Sequence, residues 1–402
     1  MEEKKNRFVE RIRNHKRKIL TALAVIAAVF VVAAAAFAVI RLQTFSSYEV
    51  LSSYEHSRES NDQYVKFNGN LVQYGGDGII CLKADGSSLW SKSYEMEQPI
   101  LAASDHYLAL TDQGGSEILL FDADGILREI ETPYPVLQIA LAGNGNVAAV
   151  LQGSDECRIV LYDKTGALIV EGSSHLDDSG YPAAVALSSD GTIMAVSYLT
   201  VDTGAVSSVL TFYDLSESES GTARIAASES CEGEMIVRLA QLDGNFAAFS
   251  GSGVRIYSAD TLSLKREITA EEEIQSIAVG DDRFALIYRA DEEEALAAAQ
   301  EDADQTASGD AQTAVDAYVL QVYGSGGREL YSTVFTDDYQ EVTFLENGST
   351  AICGTDFCKV INILGKTQFS YSFGETLCGI FSNRFFGYTL VFTDRVERIR
   401  LK

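Results

Sequence analysis

Residues 235–269 read MIVRLAQLDGNFAAFSGSGVRIYSADTLSLKREIT, and this stretch decides the fold. Four runs, MIVRLAQ, FAAFSG, VRIYS and LSLKREI, are separated by LDGN, SG and ADT. The runs have strand length and are too short for helices. The breaks are Gly, Asp, Asn and Ser, the residues that tolerate the dihedrals of tight turns. The stretch therefore predicts four antiparallel strands joined by hairpins.

The same order recurs outward in both directions. Residues 137–172 give LQIALAG, VAAVLQG, RIVLYD and ALIVEG; residues 99–131 give PILAAS, LALTD, EILLFD and ILREIE. Residues 64–94, 184–227, 274–335, 340–373 and 377–402 repeat the pattern with longer or shorter turns. Eight approximate units thus fill 64–402, at the roughly 40–50 residues per repeat of a propeller blade. A single four-stranded sheet cannot bury both faces, but a ring of such sheets can, with only short edges left open. The fold class expected is all-β, a seven- or eight-bladed β-propeller preceded by one transmembrane α-helix. The last unit shows three strands, and Tyr48–Tyr54 (YEVLSSY) is placed to supply a fourth and close the ring. A β-solenoid has shorter repeats without successive hairpins, and paired β-sandwiches do not explain the repeated turn glycines.

Ahead of the repeats the chain changes character. Ile19–Ile40, ILTALAVIAAVFVVAAAAFAVI, has no charged residue. A helix of that length spans about 33 Å, enough for a bilayer core. It is apolar on every face, unlike a surface helix. Residues 1–18 hold Lys4, Lys5, Arg7, Arg11, Arg13, Lys16, Arg17 and Lys18 against Glu2, Glu3 and Glu10. The positive-inside rule then puts residues 1–18 in the cytoplasm as a basic tail, 19–40 across the membrane, and the rest outside. Residues 41–63 form a linker with the closing strand, and 64–402 the extracytoplasmic propeller. Ala36-Phe37-Ala38 resembles a signal-peptidase site, but the apolar run exceeds that of a signal peptide, which favours an uncleaved anchor.

The net charge of −27 hides this division. With eight of the 31 bases in the tail and one at Arg41, and three of the 58 acids in the tail, residues 42–402 keep 22 bases and 55 acids. So acidic a body repels nucleic acid, and no nucleic-acid partner is expected. Residues 291–314, DEEEALAAAQEDADQTASGDAQTA, hold eight acids and no base between the second and third strands of one unit. They read as a solvated loop insertion with a short helix at its start; a docking arm for a basic partner is the sharper reading. The EF-hand spacing is absent.

The chain has six cysteines, Cys81, Cys157, Cys231, Cys353, Cys358 and Cys378, none in a C-x-x-C motif. Outside the membrane disulfides are possible, and Cys353 and Cys358, flanking one hairpin turn, are the candidate pair; the others read as small buried apolar residues. No nucleophile elbow or P-loop occurs, and GSGG at 324–327 precedes a strand rather than a helix. His106 and His175 lack an evident catalytic partner. Carboxylates are too abundant for a glycosidase pair to stand out. No catalytic, cofactor-binding or metal-binding residue is assigned, and no cofactor is expected.

ADGSSLW at 84–90 resembles the A-x-D-x-x-x-G-x-x-x-W repeat of quinoprotein-type propellers. Gly86 and Trp90 keep its spacing, whereas Asp85 abuts Gly86. The resemblance implies a tryptophan packed between blades, and it does not imply a quinone. The whole chain resembles a family of bacterial single-pass membrane proteins, domain of unknown function 5711, with a WD40-like or quinoprotein-like body. The resemblance rests on the order of tail, helix and repeats, and on residues 71–125 and 184–199. It implies a Gram-positive envelope setting and brings no catalytic residue. The function expected is a membrane-anchored, extracytoplasmic protein-interaction scaffold with an envelope or secreted protein partner and no catalysis. A ligand sensor signalling through the helix, or an enzyme acting on wall polysaccharide, are the alternatives.

Overall fold

The computed structural model describes residues 43–402 apart from 56–61, 176–178, 203, 217–222, 271, 292, 296–315 and 384–386. Residues 1–42 lie outside the described residues, and with them the expected tail and membrane segment. Among the described residues no helix is long and apolar enough to cross a membrane.

The described chain forms eight four-stranded antiparallel sheets. Blades 1 to 7 are consecutive: 63–93, 99–131, 136–174, 181–231, 238–269, 274–335 and 341–372. Blade 8 combines the last three strands, from Leu377 to Leu401, with Tyr48–Glu55 as its fourth. The count is therefore eight, and the all-β expectation is met. Tyr48 lies opposite Leu401 and Glu55 opposite Arg395, with a register shift between Val50 and Ser52. First strands of several neighbouring blades touch around the axis, and that of blade 8 meets that of blade 1 to complete the ring.

Burial explains the sequence pattern. Second strands are covered on both faces by adjacent blades, so they read as apolar runs rather than alternating ones. Asn245–Ser250 is buried at every position, and Val147–Gln152 at all but the last. Fourth strands lie on the perimeter and are largely exposed, as in Leu264–Thr269. Aromatic rings join the blades: Phe212 of blade 4 meets Phe246 and Tyr257 of blade 5 at 5.7 and 5.3 Å, and Phe249 meets Phe284 of blade 6 at 5.4 Å. Each such pair adds about 0.5–1.5 kcal/mol beyond its burial. Trp90 does the same for blades 1 and 2, stacking on Phe121 at 5.4 Å and donating its indole N–H to the Ala123 carbonyl.

The chain reverses at two ends of the ring. At the lower end, first strands turn into second strands and third into fourth. At the upper end, second strands turn into third, and the chain crosses to the next blade. Many lower turns are stapled by an Asp or Asn side chain accepting backbone N–H groups two to four residues on, as Asp163 does from Thr165 and Ala167 at 2.8 and 2.9 Å. Gly166 follows at φ +84°, a conformation other residues adopt only with strain. Upper connections are less uniform. They include the long hairpin of Ile193–Asp202 and Ala205–Asp214, and the insertion between Arg283–Arg289 and Tyr318–Gly324. Within that insertion 293–295 are helical, and 296–315 lie outside the described residues.

Candidate functional site

Cavities open along the axis, lined by the ends of the first strands. One of about 670 Å³ is bounded by blades 1, 2, 6, 7 and 8; a second, of about 590 Å³, shares Ala103, Ser104, Asp105, Asp281 and Asp282 and continues past blades 3 to 5. Small residues such as Ala103, Ala140, Ala186 and Ala240 keep the space open.

The lower rim of this channel is acidic. Asp105, Asp243, Asp281, Asp282 and Glu346 come from four different blades. Two bases moderate them. Arg283 grips Asp282 through Nε and Nη2, at 2.7 and 2.9 Å, and donates Nη1 to the Gly348 carbonyl at 2.8 Å. Lys66 pairs with Glu346 and donates to the Ser382 carbonyl at 2.7 Å. The surrounding wall raises the Asp281 carboxyl above its ordinary value, with further push from Asp105, Asp282 and Glu346. Such a rim draws cations generally, yet among the described residues no group of three or more His, Cys, Asp or Glu is placed to hold a metal ion.

The upper end is more one-sided. Among the described residues, no connection at that end contains Lys or Arg. Those connections carry Asp62, Asp77, Glu95, Glu97, Asp155, Glu232, Glu272, Glu273, Asp338 and Asp356, among other acids. Lower connections include Lys83, Lys164, Arg328 and Lys366. Arg289 and Arg395 reach the upper end from strand termini, and acids hold both. Arg289 lies 3.6 Å from Asp316, and Arg395 engages Glu375, Asp394 and Glu397 while lying 4.4 Å above the Phe392 ring. Glu375 is held below the usual carboxylate range by Arg395.

The residues that sequence reading singled out do not assemble into a reaction centre. His175 Nε2 is 3.4 Å from Glu156 on the exposed upper edge, and His106 is exposed at the lower rim. Cys353 and Cys358 are cross-strand partners with Sγ atoms 3.1 Å apart, both thiols free. Burial, then Cys353, pushes the Cys358 thiol well above its ordinary value, away from nucleophilic use. Cys81, Cys157 and Cys231 are buried as expected; Cys378, packed beside the cluster of Leu71, Val391 and Val396, is only half-buried.

Comparison with known proteins agrees with this geometry. Residues 41–401 match a family of unknown function, DUF5711, and the chain belongs to it. No curated protein sequence matches. Among solved structures, BamB from Moraxella catarrhalis is similar over 88% of this chain and 100% of its own, at 10% identity and a TM-score of 0.52. Sqt1 from Saccharomyces cerevisiae is similar over 89% of this chain and 100% of its own, at 10% identity and a TM-score of 0.56. At that identity the likeness is one of fold.

Proposed function

For this member of the family of unknown function DUF5711, we propose a membrane-anchored, extracytoplasmic propeller that serves as a docking scaffold for another protein and performs no catalysis. One observation carries the reading. The frame is a closed ring of eight sheets with many of its lower turns stapled by Asp or Asn, whereas the upper end presents irregular connections rich in exposed acids. Binding surfaces are characteristically built from variable loops on a rigid frame. The fold likeness to BamB and Sqt1 is compatible with an interaction role without specifying a partner.

The anchoring part rests on the uncharged run 19–40 and the basic residues before it. The strand Tyr48–Glu55 begins at the lower end, opposite Leu401. An anchor preceding it would leave the upper face directed away from the bilayer.

Two experiments test the proposal. Proteinase K added to intact cells should digest the body and spare a fragment containing residues 1–40; protection of the body would overturn the extracytoplasmic placement. Crosslinking of the intact chain in the cells that make it should capture the same protein repeatedly through the body. Recovery of a glycan or small metabolite with no protein would overturn the scaffold reading.

A further inference from the structure

The upper end also carries an exposed apolar ridge, at the junction of blades 4 and 5. Two hydroxyls build it. Ser197 Oγ donates to the Ile236 carbonyl at 2.8 Å, and Ser208 Oγ accepts the Ile236 N–H at 2.8 Å. Both serines are fully buried, and together they clamp the crossover between the blades against the long hairpin of blade 4. Side chains two residues apart on a strand share a face. Val206 lies two residues from Ser208, and Val201 is its direct partner across the hairpin, so both continue that face beyond the clamp. The clamped Ile236 is buried, which turns its neighbours Met235 and Val237 outward. Val201, Val206, Met235 and Val237 are 64, 36, 48 and 56% exposed.

Exposed acids lie on the crossovers at this end of the ridge. Glu232 is exposed on the same crossover, and Glu272 and Glu273 are exposed on the next. Two bases of blade 5 are already engaged, one of them by Glu234 of the ridge's own crossover. Arg255 is engaged by Glu229, Glu234 and Glu267, and Arg238 reaches blade 6, where its Nη1 donates to the Ile277 carbonyl at 3.2 Å.

We propose that the ridge Val201, Val206, Met235 and Val237 is the anchor point of a docking surface for a basic amphipathic segment of a partner protein. Apolar side chains of that segment cover the ridge while its Lys and Arg residues meet the acidic connections. This rests on the scaffold reading above and names the partner's chemistry. Apolar anchors inside a charged rim are the common anatomy of a protein interface. A field of one sign speeds encounter with a partner of the other, in a salt-dependent way.

The test uses the full chain and three synthetic probes: a peptide with Leu at i, i+3, i+4 and i+7 and Lys between, the same peptide with Glu for Lys, and a Lys-Gly peptide of equal charge. The Lys–Leu peptide should bind at least tenfold tighter than the other two, and its affinity should fall at least tenfold from 50 to 300 mM salt. The double variant Val201→Ser, Met235→Ser should weaken it at least tenfold, with unchanged circular dichroism and melting. Leu364→Ser, at an exposed position on the lower end, should leave it unchanged. Equal binding of the Glu peptide or the Lys-Gly peptide, or unaltered affinity of the double variant, would overturn the proposal. Photo-crosslinkers placed in cells at Val201, Met235 and Leu364 separate the two levels of the argument. Capture of a protein through Leu364 alone leaves the scaffold and removes this surface; capture of no protein from any position removes both.

Discussion

Replacing Phe45 by alanine should loosen the whole ring. Phe45 precedes the closing strand, is 9% exposed, and forms a parallel bridge with Phe369 on the fourth strand of blade 7. Its N–H donates to the Gln368 carbonyl at 2.8 Å, so the chain is tied to blade 7 before it enters blade 8. Tyr48 extends the seam, edge-on to Phe369 at 6.4 Å and to Tyr371 at 5.0 Å. A phenylalanine buries about 150–200 Å² of apolar surface, worth roughly 4 kcal/mol at 25 cal/mol per Å². The retained methyl and a denatured state that is already partly compact reduce this to about 3 kcal/mol. With a urea dependence of about 3 kcal/mol per molar, the midpoint should fall by roughly 1 M. The assay is urea unfolding of the full chain in mild detergent, followed by far-ultraviolet circular dichroism and by the fluorescence of Trp90. That single tryptophan lies in blade 1, across blade 8 from Phe45, so it reports whether the seam and the ring unfold together. Leu51→Ala, at a 51% exposed position on the closing strand, is the control and should cost less than about 0.5 kcal/mol. A Trp90 transition that does not move in Phe45→Ala, or a control that costs as much, would refute the claim that this latch holds the ring closed.

Asp281→Asn should raise the thermal midpoint at pH 7, because it removes a carboxylate whose neutral form the folded protein favours. The stability from that neutral form is complete below the ordinary carboxyl value near 3.8 and is lost as pH rises through the raised folded value, so the advantage of the Asp281→Asn variant over wild type should vanish below about pH 3.8 in melting curves. Alkylation of the native protein followed by peptide mass mapping should modify Cys378 first, since the other five thiols are buried; early labelling of Cys358 would contradict its packing. Gly253→Ala drives a methyl into the Ile268 carbonyl oxygen at φ +151°, and it should lower the urea midpoint by the equivalent of roughly 2 kcal/mol or more, whereas Gly244→Ala, at φ +72° with open space around it, should cost about 1 kcal/mol.

The architecture was legible in the sequence for a physical reason. Strands covered on both faces must be apolar throughout, so VAAVLQ and NFAAFS stand out at each repeat, and the turns between them need Gly or Asx at fixed offsets. Trp90 was legible through its spacing from Gly86, which places it against the next blade. The half-exposure of Cys378 was not, because an apolar run such as LCGIF does not show which of its members the neighbouring blade covers completely. The ridge was hidden for another reason. Val201 and Met235 are 34 positions apart, and the contacts that join them are two serine hydroxyls clamping the backbone of one residue, Ile236, which leave no periodic trace.

The segregation of charge lies between these cases. Successive turns of a propeller alternate between its ends, so the turns must be sorted by order within the repeat before their charges mean anything. Read in chain order, Lys83, Asp155, Lys164 and Glu232 are an ordinary acidic mixture. Sorted by end, Lys83 and Lys164 fall below, and Asp155 and Glu232 above. Stability does not call for such sorting, because concentrating like charges on one face raises their mutual repulsion and mixing them lowers it. Among the described residues the lower turns, many of them stapled by Asp or Asn, include bases, and the upper connections include none. A composition that the fold does not demand, and that runs against the electrostatic preference of the isolated molecule, is what the basic partner segment proposed above would account for.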